Sequence, residues 1–340
     1  MIDINKEYFQ NEYAEKQRQE PDAIPTHLPS YNSLMHDAGG QIGNGRGWFV
    51  VWAGVPGLGK SISALSLATA ALEAGETVAY VSLEMSKIQI MSRYAAIASG
   101  LDVNFFGRGP DKFNEVAWKQ AQQKLRSLPP MYMPDTISSD WSDAVDFIKE
   151  AVEVKGATMV VFDYLQLAST GTESDIMRGI SQMTTDLRQY TVESNIVTIC
   201  LSQFNRETSG ANFKVRPRAS GLYGGAYIEQ CADVIIALSH HAYERDTEGN
   251  GARLWACVLK NRHGGVGDIP IYQSYRDLSQ REALEDEMSE WPEPGGNTAN
   301  TMTQLCETSS KQSERDTLMK IGATTNSGSR QWHSCWKTRP

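Results

Sequence analysis

The sequence has little of what a secreted or membrane protein requires. Its five cysteines are an odd number with no CxxC pair and no metal-binding spacing, which does not suit a disulfide framework. No run approaches the ~18 apolar residues of a membrane span, and the first thirty residues hold no apolar segment typical of a signal peptide. These absences predict a cytoplasmic protein in a reducing compartment.

An excess of positive charge is also missing. The formal net charge is -9, which argues against a protein that coats nucleic acid with its whole surface and leaves room for a local basic channel. Apolar residues make up 40% of the 340 residues. The chain is therefore expected to be globular and long enough for one large domain or two ordinary ones.

Composition divides the chain into three zones. Residues 1–30 begin polar and helix-prone and then carry three prolines, which predicts an arm and a linker. Residues 31–275 alternate apolar runs of strand length with helix-length segments, the pattern of an α/β domain with a mainly parallel, twisted sheet flanked by helices. Residues 276–340 sustain no apolar period, which predicts a polar, flexible tail. The strand candidates are residues 48–53, 77–83, 158–165, 196–202, 233–239, 253–260 and 269–273.

The run GVPGLGKS follows the first strand candidate and precedes a helix-like run. Gly54, Gly57 and Gly59 allow the backbone amides to face a phosphate, and the positive end of the helix adds to the attraction. Lys60 would reach the β and γ phosphates, and the Ser61 hydroxyl would bind Mg²⁺. A chance match to GxxxxGK[ST] is expected only ~0.02 times in a chain of this length. The sequence therefore predicts a P-loop that binds ATP and Mg²⁺.

Polar residues at the ends of three other strand candidates belong to the same edge of the expected sheet. Asp163 would help to hold Mg²⁺, or would be a turn former. Glu84 would activate the attacking water, or would be a charge favoured at a helix N-terminus. Gln203 would bond the γ-phosphate or connect it to a DNA loop, or would be an ordinary loop residue.

The order of these motifs resembles a known family. GVPGLGKS, TVAYVSLEMSKIQIMSR, MVVFDYLQL, LSQFNRE, IEQCADVI and LKNRHGGVG occur in the order and spacing of the RecA-like motor domain of DnaB-type replicative helicases. The resemblance covers residues 31–275. It implies a homo-oligomeric ring, usually of six subunits, that hydrolyses nucleoside triphosphate at subunit interfaces and moves along single-stranded DNA.

The resemblance also implies roles for individual residues. Glu84 would be the catalytic base and Gln203 the γ-phosphate sensor, beside Asp163 at the metal. Lys260 and Arg262 match a basic pair that reaches into the site of the neighbouring subunit and stabilises the charge of the transferred phosphoryl group. The alternative is that Lys260 and Arg262 keep an edge hairpin soluble.

The predicted DNA loop departs from the family pattern. The family usually has a stretch like SDLRESGA, whereas this chain has SGLYGGAY, so that Tyr223 and Gly224 replace an Arg and a Glu. Glycine amides can still bond phosphates, and Tyr223 could stack on a base or sugar. The affinity of this loop for DNA is expected to be weaker than that of the family's usual stretch.

A basic segment precedes this stretch. Residues 203–218 include four basic residues against Glu207, and six copies in a ring would face one channel. The alternative is a solvated loop. The four basic residues are Arg206, Lys214, Arg216 and Arg218.

The N-terminal zone departs from the family as well. Thirty residues cannot form the helical domain with which these helicases dock primase, and the zone is expected to be either a linker helix that packs on the adjacent protomer or a frayed amphipathic arm. Two functions remain open. The first is a DNA-stimulated ATPase motor. The second is an ATP-gated DNA-binding module or nucleotide switch, such as a RadA-like recombination ATPase, that loads or regulates another replication protein without unwinding.

Overall fold

Nine strands form one sheet in the part of the chain that the computed structural model describes, which comprises residues 24–34, 46–107, 114–135, 141–163, 173–204, 216–239, 249–284 and 287. The strands are β1 (Trp48–Gly54), β2 (Val78–Ser82), β3 (Met131–Tyr132), β4 (Met159–Asp163), β5 (Val197–Gln203), β6 (Val234–Ser239), β7 (Gly251–Asn261), β8 (Gly267–Ser274) and β9 (Gln280–Glu282).

Helices connect most of these strands. They are α1 (Pro29–Leu34), α2 (Lys60–Glu73), α3 (Lys87–Ser99), α4 (Val103–Gly107), α5 (Glu115–Ser127), α6 (Trp141–Lys149), α7 (Glu173–Glu193) and α8 (Gly225–Cys231). A π-helical turn, Glu150–Val154, continues α6, and a 3₁₀ turn, Ala219–Gly221, precedes α8. None of the helices within the described ranges is both long enough and apolar enough to cross a membrane.

The strand order is β3-β2-β4-β5-β1-β6-β7-β8-β9. The first six strands in this order are parallel, and β7, β8 and β9 add an antiparallel extension. Each of the seven strand candidates forms a strand, and the predicted α/β architecture is confirmed. Because the parallel strands share one direction, the residues that follow β1, β2, β4 and β5 lie along one edge of the sheet.

Helices cover both faces of the sheet, which explains why its strands are continuous apolar runs. All seven residues of β1 are buried. Phe49 and Val51 belong to a core cluster with side chains of α6, α7 and α8, whereas the buried Val50 and Trp52 alternate with them in sequence and so point to the opposite face. Helix α2 contacts β1, β2, β4 and β5.

The segment before β1 packs against the antiparallel end of the sheet. Ile24, Leu28 and Tyr31 are buried, and the Ser30 hydroxyl donates to the Glu282 carboxylate at 2.7 Å. Composition assigns residues 24–30 to the arm and residues 280–282 to the tail. The structure shows that both segments contribute side chains to the packing beside β9. The other residues of those two zones lie outside the described ranges, except for residues 276–279, 283, 284 and 287.

Candidate functional site

The P-loop connects the carboxyl end of β1 to the start of α2. Gly57 and Gly59 have φ values of 81° and 93°, in the left-handed region that favours glycine. Gly54 is restricted by packing instead, because a Cβ atom there would lie 3.1 Å from Cγ of Lys60. The loop leads into the N-terminus of α2, a 14-residue helix. Unpaired backbone amides and the helix dipole attract anions there.

The Lys60 side chain lies beneath the loop. Lys60 is 6% exposed, and its Nζ donates to the carbonyl oxygen of Val55 at 3.1 Å. Burial lowers the pKa of Lys60, while the charges of Asp163 and Glu84 raise it. The ammonium group is thus held at the P-loop between backbone oxygen and two carboxylates.

Asp163 ends β4 and is fully buried. Burial raises the pKa of its carboxyl group to about 6, against the lowering effect of Ser61 and Lys60. Its Oδ2 accepts from the Tyr80 hydroxyl at 3.5 Å, whereas no donor among the described residues reaches the buried Oδ1. A buried carboxylate oxygen without a partner, beside a serine hydroxyl and at a phosphate-binding loop, fits the oxygen ligands that Mg²⁺ takes in nucleotide sites.

Glu84 and Gln203 lie at the same edge of the sheet. The turn that carries Glu84 is joined to β4, because the N–H of Leu83 donates to the carbonyl oxygen of Asp163 at 2.7 Å. Glu84 is exposed, and its charge raises the pKa of Asp163. Gln203 ends β5 and pairs in register with Gly54. The structure therefore brings the predicted P-loop, metal, base and sensor residues together.

A polar network that sequence reasoning missed lies behind the P-loop. The Ser63 hydroxyl donates to Oε1 of Gln280 at 2.6 Å, and Nε2 of Gln280 donates to Oε1 of Gln273 at 2.7 Å. All three residues are buried. A Cβ atom on Gly59 would lie 2.1 Å from Oε1 of Gln273. The antiparallel extension thus supports the P-loop from behind, and no sequence motif signals this contact.

Arg262 lies at the opposite edge of the sheet from the P-loop, and Lys260 lies two residues before it, within β7. The N–H of Arg262 donates to the carbonyl oxygen of Asp233, and the N–H of Asp233 donates to the carbonyl oxygen of Phe49. Arg262 is therefore level with Phe49 in the sheet, about 17 Å from Gly54 at the usual rise per strand residue. Arg262 is thus too far along the strands to reach the P-loop of its own chain, and Lys260, level with Val51, bonds away from that loop.

Both cations contact the C-terminal end of α8. Nζ of Lys260 donates to the carbonyl oxygen of Glu229, and Nη2 of Arg262 donates to that of Gln230 at 2.8 Å. These carbonyls carry the negative end of the helix dipole. Burial, followed by the charge of Arg262, lowers the pKa of Lys260.

The predicted DNA-binding residues have different surroundings. Arg206 and Lys214 lie outside the described residues. Nε of Arg216 donates to both carboxylate oxygens of the buried Asp268, at 2.8 and 2.9 Å. Arg218 is exposed.

The stretch before α8 is tied to β5. The N–H of Tyr223 donates to the carbonyl oxygen of Gln203 at 2.9 Å. Gly224 has a φ of 83°, and a Cβ atom there would lie 2.9 Å from Cγ2 of Ile180. Packing and backbone conformation thus explain the glycine at this position, and its role at DNA stays a prediction.

The chain matches the family described as "DnaB-like helicase C terminal domain" over residues 38–277. It is 32% identical over 252 residues to a probable plasmid replicative DNA helicase of Chlamydia psittaci, covering 72% of this chain and 52% of that protein. It is 27% identical over 246 residues to the replicative DNA helicase DnaB of Geobacillus stearothermophilus, covering 69% and 54%. The chain thus spans about half the length of these curated relatives.

Two solved structures are similar in fold. A DnaB-like replicative helicase, solved in a study of its interactions with primase, has a TM-score of 0.66 at 23% identity, over 80% of this chain and 66% of that one. The ATPase domain of G40P has a TM-score of 0.65 at 23% identity, over 80% and 96%. The predicted RecA-like fold is confirmed.

Proposed function

The chain belongs to the DnaB-like helicase C-terminal domain family, and we propose that it is an ATP-dependent motor that moves on single-stranded DNA as a ring of identical subunits, six by the family's usual number. The observation that carries the proposal is the separation of two charged groups along the strands of one sheet. Lys60 and Asp163 lie at the P-loop edge, whereas Arg262 lies about 17 Å and Lys260 about 10 Å from Gly54 along the strands. A ring gives the second group a function, because it can present that group to the P-loop of a neighbour.

Within one subunit, the P-loop amides and Lys60 bind the phosphates of ATP. Ser61 and Asp163 are the residues that would hold Mg²⁺, which would supply positive charge to the bound phosphates. Glu84 accepts a proton from the attacking water; its exposed side chain at the rim of the site suits that role.

Lys260 and Arg262 act on the ATP of the adjacent subunit. Phosphoryl transfer spreads negative charge over the γ-phosphate oxygens, and a cation pair supplied from outside stabilises that charge in an assembled ring. Hydrolysis is thereby coupled to assembly.

Gln203 connects the nucleotide to the DNA loop. Its side chain follows a strand that pairs with the start of the P-loop, and its carbonyl oxygen accepts from Tyr223 at 2.9 Å. A change at the γ-phosphate that moves the end of β5 would therefore move Tyr223 as well. Arg218 and Tyr223 are the described side chains that we assign to DNA contact.

The test is steady-state ATP turnover at low salt, with and without single-stranded DNA, over a range of protein concentrations. The motor requires turnover that rises with DNA and increases more than linearly with protein concentration. Lys60→Ala should abolish turnover, because the phosphates lose their buried counter-charge. Arg262→Ala should keep nucleotide binding and stop hydrolysis. Wild-type turnover in that variant would remove the assignment of Arg262 to the neighbouring site.

A second candidate, an ATP-gated binding module without unwinding activity, is favoured by one observation. The guanidinium of Arg216 is already bound to Asp268 and to the carbonyl oxygen of Val258, which reduces the positive charge that this region can offer to DNA. This candidate predicts turnover per chain that is independent of DNA and of protein concentration in the same assay.

A further inference from the structure

A buried carboxylate lies beside the basic edge of the sheet, by which we mean Lys260 and Arg262 at the end of β7. Asp233 is 2% exposed and precedes β6. Its Oδ2 accepts from the N–H of Phe49 at 2.9 Å and from Nη1 of Arg188, and its Oδ1 accepts from Nη1 of Arg262 at 3.1 Å. One carboxylate thus binds β1, α7 and the end of β7.

The two guanidinium groups on this carboxylate are not equivalent. The side chain of Arg188 is 25% exposed and also donates to the carbonyl oxygen of Gly47 at 2.8 Å, whereas the side chain of Arg262 is 46% exposed. If Arg262 moves away, Asp233 keeps Arg188 and the N–H of Phe49. A buried charge without a partner is strongly destabilising, and this arrangement avoids one.

The backbone of β7 is irregular just before Arg262. The pairing of β6 with β7 skips Leu259, since Ile235 pairs with Lys260 and Ile236 with Val258. A bulge of this kind re-aims the side chains that follow it. The N–H of Arg262 then donates to the carbonyl oxygen of Asp233 at 2.9 Å, which fixes the start of the Arg262 side chain, while the side chain as a whole remains 46% exposed.

We propose that Asp233 is the positioning residue of Arg262. It holds the guanidinium ready at the subunit edge, and Arg188 neutralises Asp233 when Arg262 engages the phosphate of the neighbouring subunit. The inference rests on the proposed function, because it needs Arg262 to act in the adjacent site. Neither Asp233 nor Arg188 belongs to that site.

The first test is the ATP turnover of Asp233→Asn. An asparagine can still accept from Phe49 and lacks the charge that orients Arg262, so kcat should fall by about tenfold or more while KM for ATP changes less than about twofold. Glu76→Gln is the matched control. Glu76 accepts from Arg46 at 3.0 Å at the same edge of the sheet, and the variant should keep wild-type kcat.

The second test mixes inactive subunits. Lys60→Ala subunits have a defective P-loop and an intact basic edge, and Arg262→Ala subunits have the reverse. Asp233→Asn should regain turnover when mixed with Lys60→Ala and should not when mixed with Arg262→Ala. The opposite pattern would place the defect in the variant's own nucleotide site and would overturn the inference.

The mixture of Lys60→Ala with Arg262→Ala separates the two proposals. Recovery of turnover in this mixture supports action between subunits, and its absence would reject the proposed function itself. Recovery here, together with wild-type kcat in Asp233→Asn, would reject only the positioning role.

Arg188→Gln tests the inference if Asp233→Asn does not fold. Without Arg188, release of Arg262 would leave Asp233 buried without a counter-charge, so Arg262 is retained more firmly. We expect kcat to fall with nucleotide affinity unchanged and with the same rescue by Lys60→Ala subunits. Wild-type turnover in a folded Arg188→Gln protein would overturn the role of the carboxylate.

Discussion

Alanine substitutions at Gly57 and Gly59 test how the P-loop is supported. Both residues have a left-handed φ, at 81° and 93°, so that alanine at either position costs about 1–2 kcal/mol of backbone strain. The surroundings differ. A Cβ atom on Gly57 meets nothing within 4 Å, whereas one on Gly59 would lie 2.1 Å from Oε1 of Gln273.

The collision at Gly59 would disturb a buried hydrogen bond. Gln273 is 5% exposed, and its Oε1 accepts from Nε2 of Gln280 at 2.7 Å. Displacing that oxygen leaves a buried amide without its partner, which costs about 1–3 kcal/mol. Gly59→Ala should therefore destabilise the protein by about 2–5 kcal/mol, which is about 1–3 kcal/mol more than Gly57→Ala.

The measurement is urea unfolding without nucleotide, followed by far-ultraviolet circular dichroism. Both variants should lower the unfolding midpoint, Gly59→Ala more than Gly57→Ala. In a Gln273→Ala background the excess cost of Gly59→Ala should vanish, because the colliding atoms are gone. Equal losses in the wild-type background, or an excess that persists without Gln273, would refute the contact between the P-loop and the antiparallel extension.

Three further predictions concern a buried carboxyl group, two cysteine thiols and a glutamate that accepts two hydrogen bonds. Burial raises the pKa of Asp163 from 3.8 to about 6, so the folded state favours the protonated acid and its stability falls as pH rises through about 6. In EDTA, Asp163→Asn should therefore be about 3 kcal/mol more stable than wild type at pH 8 and equal to it at about pH 3, below both pKa values, as measured by urea unfolding. Cys231 is partly exposed, whereas burial raises the pKa of the Cys200 thiol, and peptide mapping after brief alkylation of the native protein should therefore find Cys231 modified before Cys200. Glu282→Ala removes the acceptor of both the Ser30 N–H and its hydroxyl, and limited proteolysis near Ser30 should become faster.

The strands that could be predicted from the sequence are those that the fold buries on both faces. Runs such as residues 196–202 and 233–239 are continuous and apolar because helices cover the sheet. β3 has two residues, and β9, Gln280–Glu282, has no apolar residue. β9 is held by pairing with β8 and by the bonds of Glu282 to Ser30, partners that no local pattern indicates.

The predicted site residues converge because parallel strands end at one edge of a sheet. This rule brought Asp163, Glu84 and Gln203 to the P-loop without any measurement of distance. A count of local charge was a weaker guide. It placed Arg216 in a basic segment for DNA, whereas its carboxylate partner, Asp268, is 52 positions further along the chain. Charge counted along the sequence cannot include such a partner.

The balance of charge at the P-loop explains why a single subunit would be a poor catalyst under the proposed function. At the P-loop, the ammonium of Lys60 faces the carboxylates of Asp163 and Glu84. The γ-phosphate therefore needs cations that these residues do not supply, and Mg²⁺ is one source. Lys260 and Arg262 are the other source under the proposal, and Arg262 lies too far along the strands to reach the P-loop of the same chain. If the Arg262 guanidinium moves into the neighbouring site at every turnover, the buried Asp233 must keep another counter-charge. This is the reason we give for the second guanidinium, that of Arg188, on Asp233.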